Sequence, residues 1–291
     1  MNLWQNYVRP ASLAEAVTAL TSSPGPAIPL AGGTDLLLDL EQGRHSPVRT
    51  VVDVTCIPEM QAVELRGERL FIGAAVPLSR VARHPLVQSD AQALVEACDL
   101  VGGPQVRNVA TLGGNVAHAL PAADGTIALL ALDAQAEIAG PSGLRCVALA
   151  DLFLGPGKSS LKRGEELLAG FYIRLRPRTA TASAFRRIMR PQGVALPILN
   201  VAAWVRRTGK LVQGVHIAVG PGSSTPFRAR SAEAVLNGMR FGDEALAAAL
   251  QALLDELKFR SSARRASADY RRHLVTSLFR DTLEAAWERC Q

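Results

Sequence analysis

Two glycine pairs, Gly32-Gly33 and Gly113-Gly114, constrain this chain more than any other feature. The first follows a short apolar run, Ala27-Ile28-Pro29-Leu30, that reads as a strand, and it sits within Ala31-Gly32-Gly33-Thr34-Asp35-Leu36. The second is flanked by Thr111 and Asn115. Glycine lets a backbone take positive φ and approach another group closely. Successive amide N–H groups in such turns form a concave nest that receives phosphate oxygens. Thr34, Thr111 and Asn115 can add side-chain donors, and Asp124 can accept from a ribose hydroxyl or an adenine amine. Two such loops can hold one diphosphate from opposite sides. Taken singly, each pair reads more readily as a tight turn than as a phosphate site. Neither has the spacing G-x-G-x-x-G or G-x-x-x-x-G-K-[ST]. The residues alone therefore lead to a phosphate or dinucleotide site of non-Rossmann type, and no further.

The pattern around these loops divides the chain into three regions, residues 1–58, 59–176 and 177–291. In the first, Ser12 and Glu15 have capping-box spacing ahead of Leu13, Ala16, Val17 and Leu20, which recur at helical spacing. Thr50 to Val54 reads as a second strand. In the second, Leu70 to Ala74 and Ala134 to Ala139 read as strands, Leu78 to Arg83 and Ala91 to Leu100 as helices, and Ile127 to Leu132 as an apolar segment. Arg176 to Thr181 is polar and reads as a linker or exposed turn. Beyond it, Leu199 to Val205 and Val215 to Val219 read as strands. Three helices follow, over Ala232–Leu236, Asp243–Leu257 and Tyr270–Trp287, the last with Leu274, Leu278 and Ala285 near one face. Strands followed by helices suggest an α+β domain.

Composition narrows the function classes. Net charge is +6, but the arginine pairs are scattered and aromatic residues make up only 5%. Nucleic-acid binders interleave a basic patch with aromatics, so solvated faces or an acidic partner fit better. No apolar run is long enough to span a bilayer. The N-terminus lacks a basic stretch followed by an apolar core, which points to a cytoplasmic protein. Cys56, Cys98, Cys146 and Cys290 are far apart, without the C-x-x-C spacing of a metal or dithiol motif. They read as reduced thiols, mostly buried, and no metal site is expected.

Ala31-Gly32-Gly33-Thr34-Asp35-Leu36-Leu37 resembles the first flavin loop of the FAD-binding subunits of molybdenum hydroxylases, the family of xanthine dehydrogenases and aerobic carbon monoxide dehydrogenases. Val106-Arg107-Asn108-Val109-Ala110-Thr111-Leu112-Gly113-Gly114-Asn115 resembles the second. Pro121-Ala122-Ala123-Asp124, Leu129 to Ala134, and Ser267 to Arg272 are similar to later family segments. Order, spacing and length match over essentially the whole chain. The resemblance implies a two-subdomain FAD-binding fold of the vanillyl-alcohol-oxidase type, followed by a small α+β domain. It places FAD between the first two regions, with its diphosphate on the loops at 32–35 and 111–115 and Asp124 at the adenosine half. Leu168 matches a position packed near the isoalloxazine. Arg186 falls where relatives often carry a lysine near the flavin, and a cation there can stabilise the N1/O2 side of an anionic reduced flavin.

The chain departs from the family in places. His118 stands where an asparagine is expected, and reads as a surface or loop residue, with a cofactor contact as the second reading. The segment 189–197 differs from the acidic version in xanthine dehydrogenases, which puts their NAD-docking details in doubt here. The cysteine-bearing insert that holds an extra cluster in some relatives is missing. By resemblance, the partners are a molybdenum-cofactor large subunit and a [2Fe-2S] small subunit, with NAD, quinone or oxygen as acceptor. No nucleophile–base constellation marks this chain as the one that handles the organic substrate. A stand-alone FAD-dependent oxidase or dehydrogenase, or a non-enzymatic nucleotide-binding module, are the alternatives.

Overall fold

The computed structural model describes residues 3–190, 196–263 and 265–290. It is a mixed α+β protein built on three principal sheets. A three-stranded parallel sheet runs in the order Trp4–Val8, Val48–Asp53, Ala27–Leu30. Its chain leaves Leu30 directly into the first glycine loop. Ser12 caps the helix Leu13–Thr21, accepting from the Glu15 amide at 3.2 Å. The Glu15 carboxylate returns to the amide of Ala11 at 2.8 Å, one residue earlier than in a standard capping box.

The second sheet is antiparallel, in the order Val63–Arg66, Arg69–Gly73, Leu167–Arg174, Gln135–Gly140, Gly143–Ala148. Helix Asp124–Ala131 is buried on every side, which explains why its sequence shows no polar face. One continuous core joins the helix Leu13–Thr21 and the first sheet to this second sheet and its helices.

The third sheet, Thr181–Met189, Pro197–Thr208, Leu211–Gly220 and Phe227–Arg228, is covered on both faces. Along Pro197–Thr208 successive side chains point to opposite faces. Leu199, Val201, Ala203 and Val205 pack with the C-terminal helices. Ala202 and Trp204 join the core that carries the two glycine loops. The long helix Ala268–Arg289 buries Val275, Leu278, Phe279, Leu283 and Ala286, so its inner face lies about a quarter of a turn from the expected stripe; Leu274 and Ala285 sit at its margin.

Several strands were not legible, three of them central to how the sheets are built. Trp4–Val8 is a mostly exposed edge, Leu167–Arg174 is buried on both faces and shows no alternation, and Thr181–Met189 begins where a polar linker was expected. All four cysteines are free; Cys98 and Cys290 are buried, but Cys56 and Cys146 are exposed, contrary to the expectation of mostly buried thiols. Among the described residues no helix is long and apolar enough to cross a membrane.

Candidate functional site

Both glycine loops open onto one cleft of about 1600 Å³. Small-molecule pockets commonly enclose about 300–1,000 Å³, so there is room for a dinucleotide. Ala31, Gly32, Gly33, Thr34, Asp35 and Leu36 form one wall, at the end of strand Ala27–Leu30. Thr111, Gly113, Gly114 and Asn115 form the facing wall, where two short helices, Pro104–Val109 and Leu112–Ala117, meet. Asp124 and Leu168 also line the cleft.

The loops touch each other. A Cβ added at Gly32 would stand 2.1 Å from the Val109 carbonyl oxygen and 2.8 Å from Ala110 Cα. Glycine is thus required there for close approach rather than for its φ. Gly33 is the residue with left-handed backbone, at φ 70°. Gly113 lies against the second sheet, donating to the Ala74 carbonyl at 2.8 Å, and its added Cβ would fall 2.5 Å from that same oxygen.

The two loops use their amides differently. The N–H groups of Leu112, Gly113, Gly114 and Asn115 donate to Val76 O, Ala74 O, Thr111 Oγ1 and Thr111 O, at 2.8–3.1 Å. Those of Gly32, Gly33, Thr34 and Asp35 have no acceptor among the described residues. The second loop therefore offers side chains, and the first offers backbone. Asn115 Oδ1 accepts from the Thr126 amide at 3.2 Å, which fixes its carboxamide beside the cleft.

At the floor, Asp124 is 4% exposed and engages two residues of the third sheet. Arg187 lies 2.5 Å from its Oδ2, and Asn200 Nδ2 donates to Oδ1 at 2.6 Å. Burial raises the Asp124 carboxyl above the usual carboxylate range, and Arg187 and Asn200 offset only part of that rise. At 2.5 Å from a permanently charged guanidinium, the carboxylate is held as an ion pair. Arg187 lines the cleft, and its buried Nε has no partner among the described residues.

Arg186 is not brought to the cleft. Strand alternation points its side chain away from the wall that Arg187 occupies, and it pairs with Glu96 at 3.3 Å. His118 is half-buried, ends the helix Leu112–Ala117 and lines the cleft. The sequence reading also missed a contribution from the third region, where Pro221, Ser223, Lys258, Arg260 and Arg271 join the wall. No motif announces these residues. Most of the departing segment 189–197 lies outside the described residues; of the rest, Leu196 and Pro197 line the cleft.

A family model described as the FAD binding domain in molybdopterin dehydrogenase matches residues 3–173. The chain belongs to this FAD-binding family. A second model, the CO dehydrogenase flavoprotein C-terminal domain, matches residues 183–286 of this flavoprotein. It is 30% identical to the xanthine dehydrogenase FAD-binding subunit of Escherichia coli O157:H7, over 97% of the chain and 95% of the relative. It is 31% identical to the carbon monoxide dehydrogenase medium chain of Hydrogenophaga pseudoflava, over 98% and 97% respectively. A solved structure of carbon monoxide dehydrogenase from that organism superposes with a TM-score of 0.92 at 30% identity, covering 99% of this chain and 98% of the other.

The flavoprotein's cleft fits its cofactor. Four adjacent unpaired amides suit a diphosphate. Eight lysines and arginines line the cleft against four carboxylates, which suits an anion. The partnerless Arg187 Nε is a buried donor awaiting an acceptor. The chain is the FAD-carrying medium subunit type of molybdenum hydroxylase, an oxidoreductase component.

Proposed function

We propose that this flavoprotein is the electron relay of a three-part cytoplasmic complex. It receives electrons from the [2Fe-2S] clusters of a small subunit and passes them to an external acceptor, whether NAD, quinone or oxygen. A molybdenum-cofactor large subunit oxidises the organic substrate. Bound FAD supplies the chemistry, taking up electrons singly and releasing them in pairs. Within the chain, regions 1–58 and 59–176 hold the cofactor, and region 177–291 closes the cleft floor.

The residues divide the work by chemistry. The amides of Gly32, Gly33, Thr34 and Asp35 bind the diphosphate, and Ala31 and Leu36 frame that turn. Thr111 and Asn115 hold polar groups on the facing wall, with Gly113 and Gly114 keeping it flat. Asp124 acts at the adenosine half and orients Arg187. Leu168 packs near the isoalloxazine. Arg187, rather than Arg186, supplies the cation at the cleft.

The observation that carries this reading is the set of unpaired amides at Gly32–Asp35 beside a cation-rich wall. Relatives named for xanthine and for carbon monoxide match the chain equally well, at 30% and 31% identity. That even match fits a substrate site elsewhere than on this subunit. Tagging this chain in its host and recording the visible spectrum and metal content of what co-purifies tests the relay. Flavin bands with iron, molybdenum and two further subunits are expected. Flavin on the lone chain with turnover of a small donor would instead establish a stand-alone oxidase, and a colourless chain in every preparation would establish a nucleotide-binding module.

A further inference from the structure

A second cavity, of about 310 Å³, lies in the seam between the FAD-binding part and the third sheet and shares no lining residue with the flavin cleft. Four arginines face it, Arg174, Arg176, Arg178 and Arg289, against one carboxylate, Asp90. Asp90 is committed to Arg178 at 2.7 Å. Arg289 is committed to Glu96 and to the Ser183 carbonyl. Arg174 and Arg176 are left without a close counter-charge.

Arg174 is exposed and forms no ion pair among the described residues. It also stands directly opposite Arg69 in the sheet, a like-charge pairing that costs stability. Arg176 is part-buried, with its guanidinium carbon 3.8 Å from the centroid of the Trp204 ring. Its nearest carboxylate oxygen, Asp133 Oδ2, is 4.0 Å away, and the other oxygen of Asp133 holds Arg228 at 2.5 Å. Burial opposes the Arg176 charge, and Arg174, Arg228 and Arg206 crowd it further.

Cations crowded in a recess concentrate counter-ions there. Guanidinium groups match phosphate oxygens in a two-pronged geometry, and Gln88, Ser89, Gln92 and Thr181 supply further polar groups on the same wall. Arg176 already covers a face of Trp204, which does not favour a nucleobase stacked there. The volume lies at the small end of ligand pockets.

We propose that this seam cavity binds a phosphate group, with Arg174 and Arg176 as its ligands. Free phosphate and a small phosphomonoester share that chemistry. The site joins the two parts of the molecule, since Arg174 and Arg176 follow from the second sheet while Thr181 and Trp204 belong to the third.

The test is calorimetry at low ionic strength on the chain saturated with FAD, so that the cofactor cleft is filled, titrating inorganic phosphate and AMP separately. One saturable site is expected for phosphate, weakened at least ten-fold in Arg174→Gln and in Arg176→Gln. Equal binding of AMP assigns the site to phosphomonoesters, and binding of phosphate alone assigns it to the free ion. Arg174→Gln alters an exposed side chain, so retention of the flavin spectrum in that variant separates lost binding from lost folding. Absence of saturable binding to either ligand, or binding unchanged in both variants, would overturn the proposal and leave Arg176 as a strut on Trp204.

Discussion

The two glycine loops look alike in sequence and differ in what they offer a ligand. The turn at 32–35 keeps four consecutive amides free of acceptors among the described residues, whereas the turn at 111–115 satisfies its own through Ala74, Val76 and Thr111. As proposed, the first loop binds through its backbone. The second is a brace that presents Asn115, and the Val109-Ala110 segment leading into it stands against Gly32. A glycine pair in a sequence therefore marks close approach, and only the hydrogen-bond partners tell whether the approach is to a ligand or to the protein itself.

Substitution at the glycines breaks this comparison most directly. Gly32→Ala drives a Cβ into the Val109 carbonyl, forcing the loops apart, and should lower FAD affinity by two orders of magnitude or more. Gly114→Ala places its Cβ 3.2 Å from Thr111 Oγ1, a contact a small shift relieves, and should cost less than ten-fold. Flavin fluorescence titration ranks the two. A reversed order would contradict the assignment of roles.

The floor gives the next effect. Asp124→Asn leaves Arg187 buried beside a neutral amide, and should cost about 3–5 kcal/mol in denaturant unfolding. Arg187→Met added to Asp124→Leu should recover much of that loss, because removing both partners leaves no orphaned charge. Arg186→Met, at the exposed pair with Glu96, should change flavin binding and stability little.

The seam with the third sheet responds to pH. His216 lies 4.8 Å from Trp204, ring to ring, with Asp133, Arg176 and Arg228 around it. Burial, aided by the two arginines, lowers its pKa from 6.5 to about 4. The unfolded chain therefore takes up a proton that the folded chain refuses. This contribution to stability is complete above about pH 6.5, falls as pH drops toward 4, and changes no further below that. The loss should reach roughly 2–3 kcal/mol and be absent in His216→Gln, as thermal unfolding across this range would show. A smaller effect is expected at the brace. Thr111→Val removes the hydroxyl that caps Leu112–Ala117, and should cost about 1 kcal/mol.

Part of the cleft was legible in the sequence because its glycine turns need particular residues. Gly32 must lack a Cβ, and Gly33 must take positive φ, so both positions are written in the residue types. The periodic helices were legible for the same reason. Thr181–Met189 was not, since Arg186 and Arg187 interrupt its apolar pattern while facing separate partners, Glu96 and Asp124. A pattern of residue types cannot say which of two adjacent arginines faces a cleft; strand register decides it. Nor could it reveal Lys258 and Arg260, which reach the wall through tertiary packing with no local signature.

The central claim is that the backbone of the first loop holds the cofactor's diphosphate. Comparing the affinities of the apo chain for FAD and for riboflavin, which lacks the diphosphate and adenosine, in wild type and Gly32→Ala tests it most directly. Wild type should bind FAD at least a hundred-fold more tightly than riboflavin, and Gly32→Ala should remove most of that difference. Equal affinities in wild type, or a preference for FAD untouched by Gly32→Ala, would contradict it.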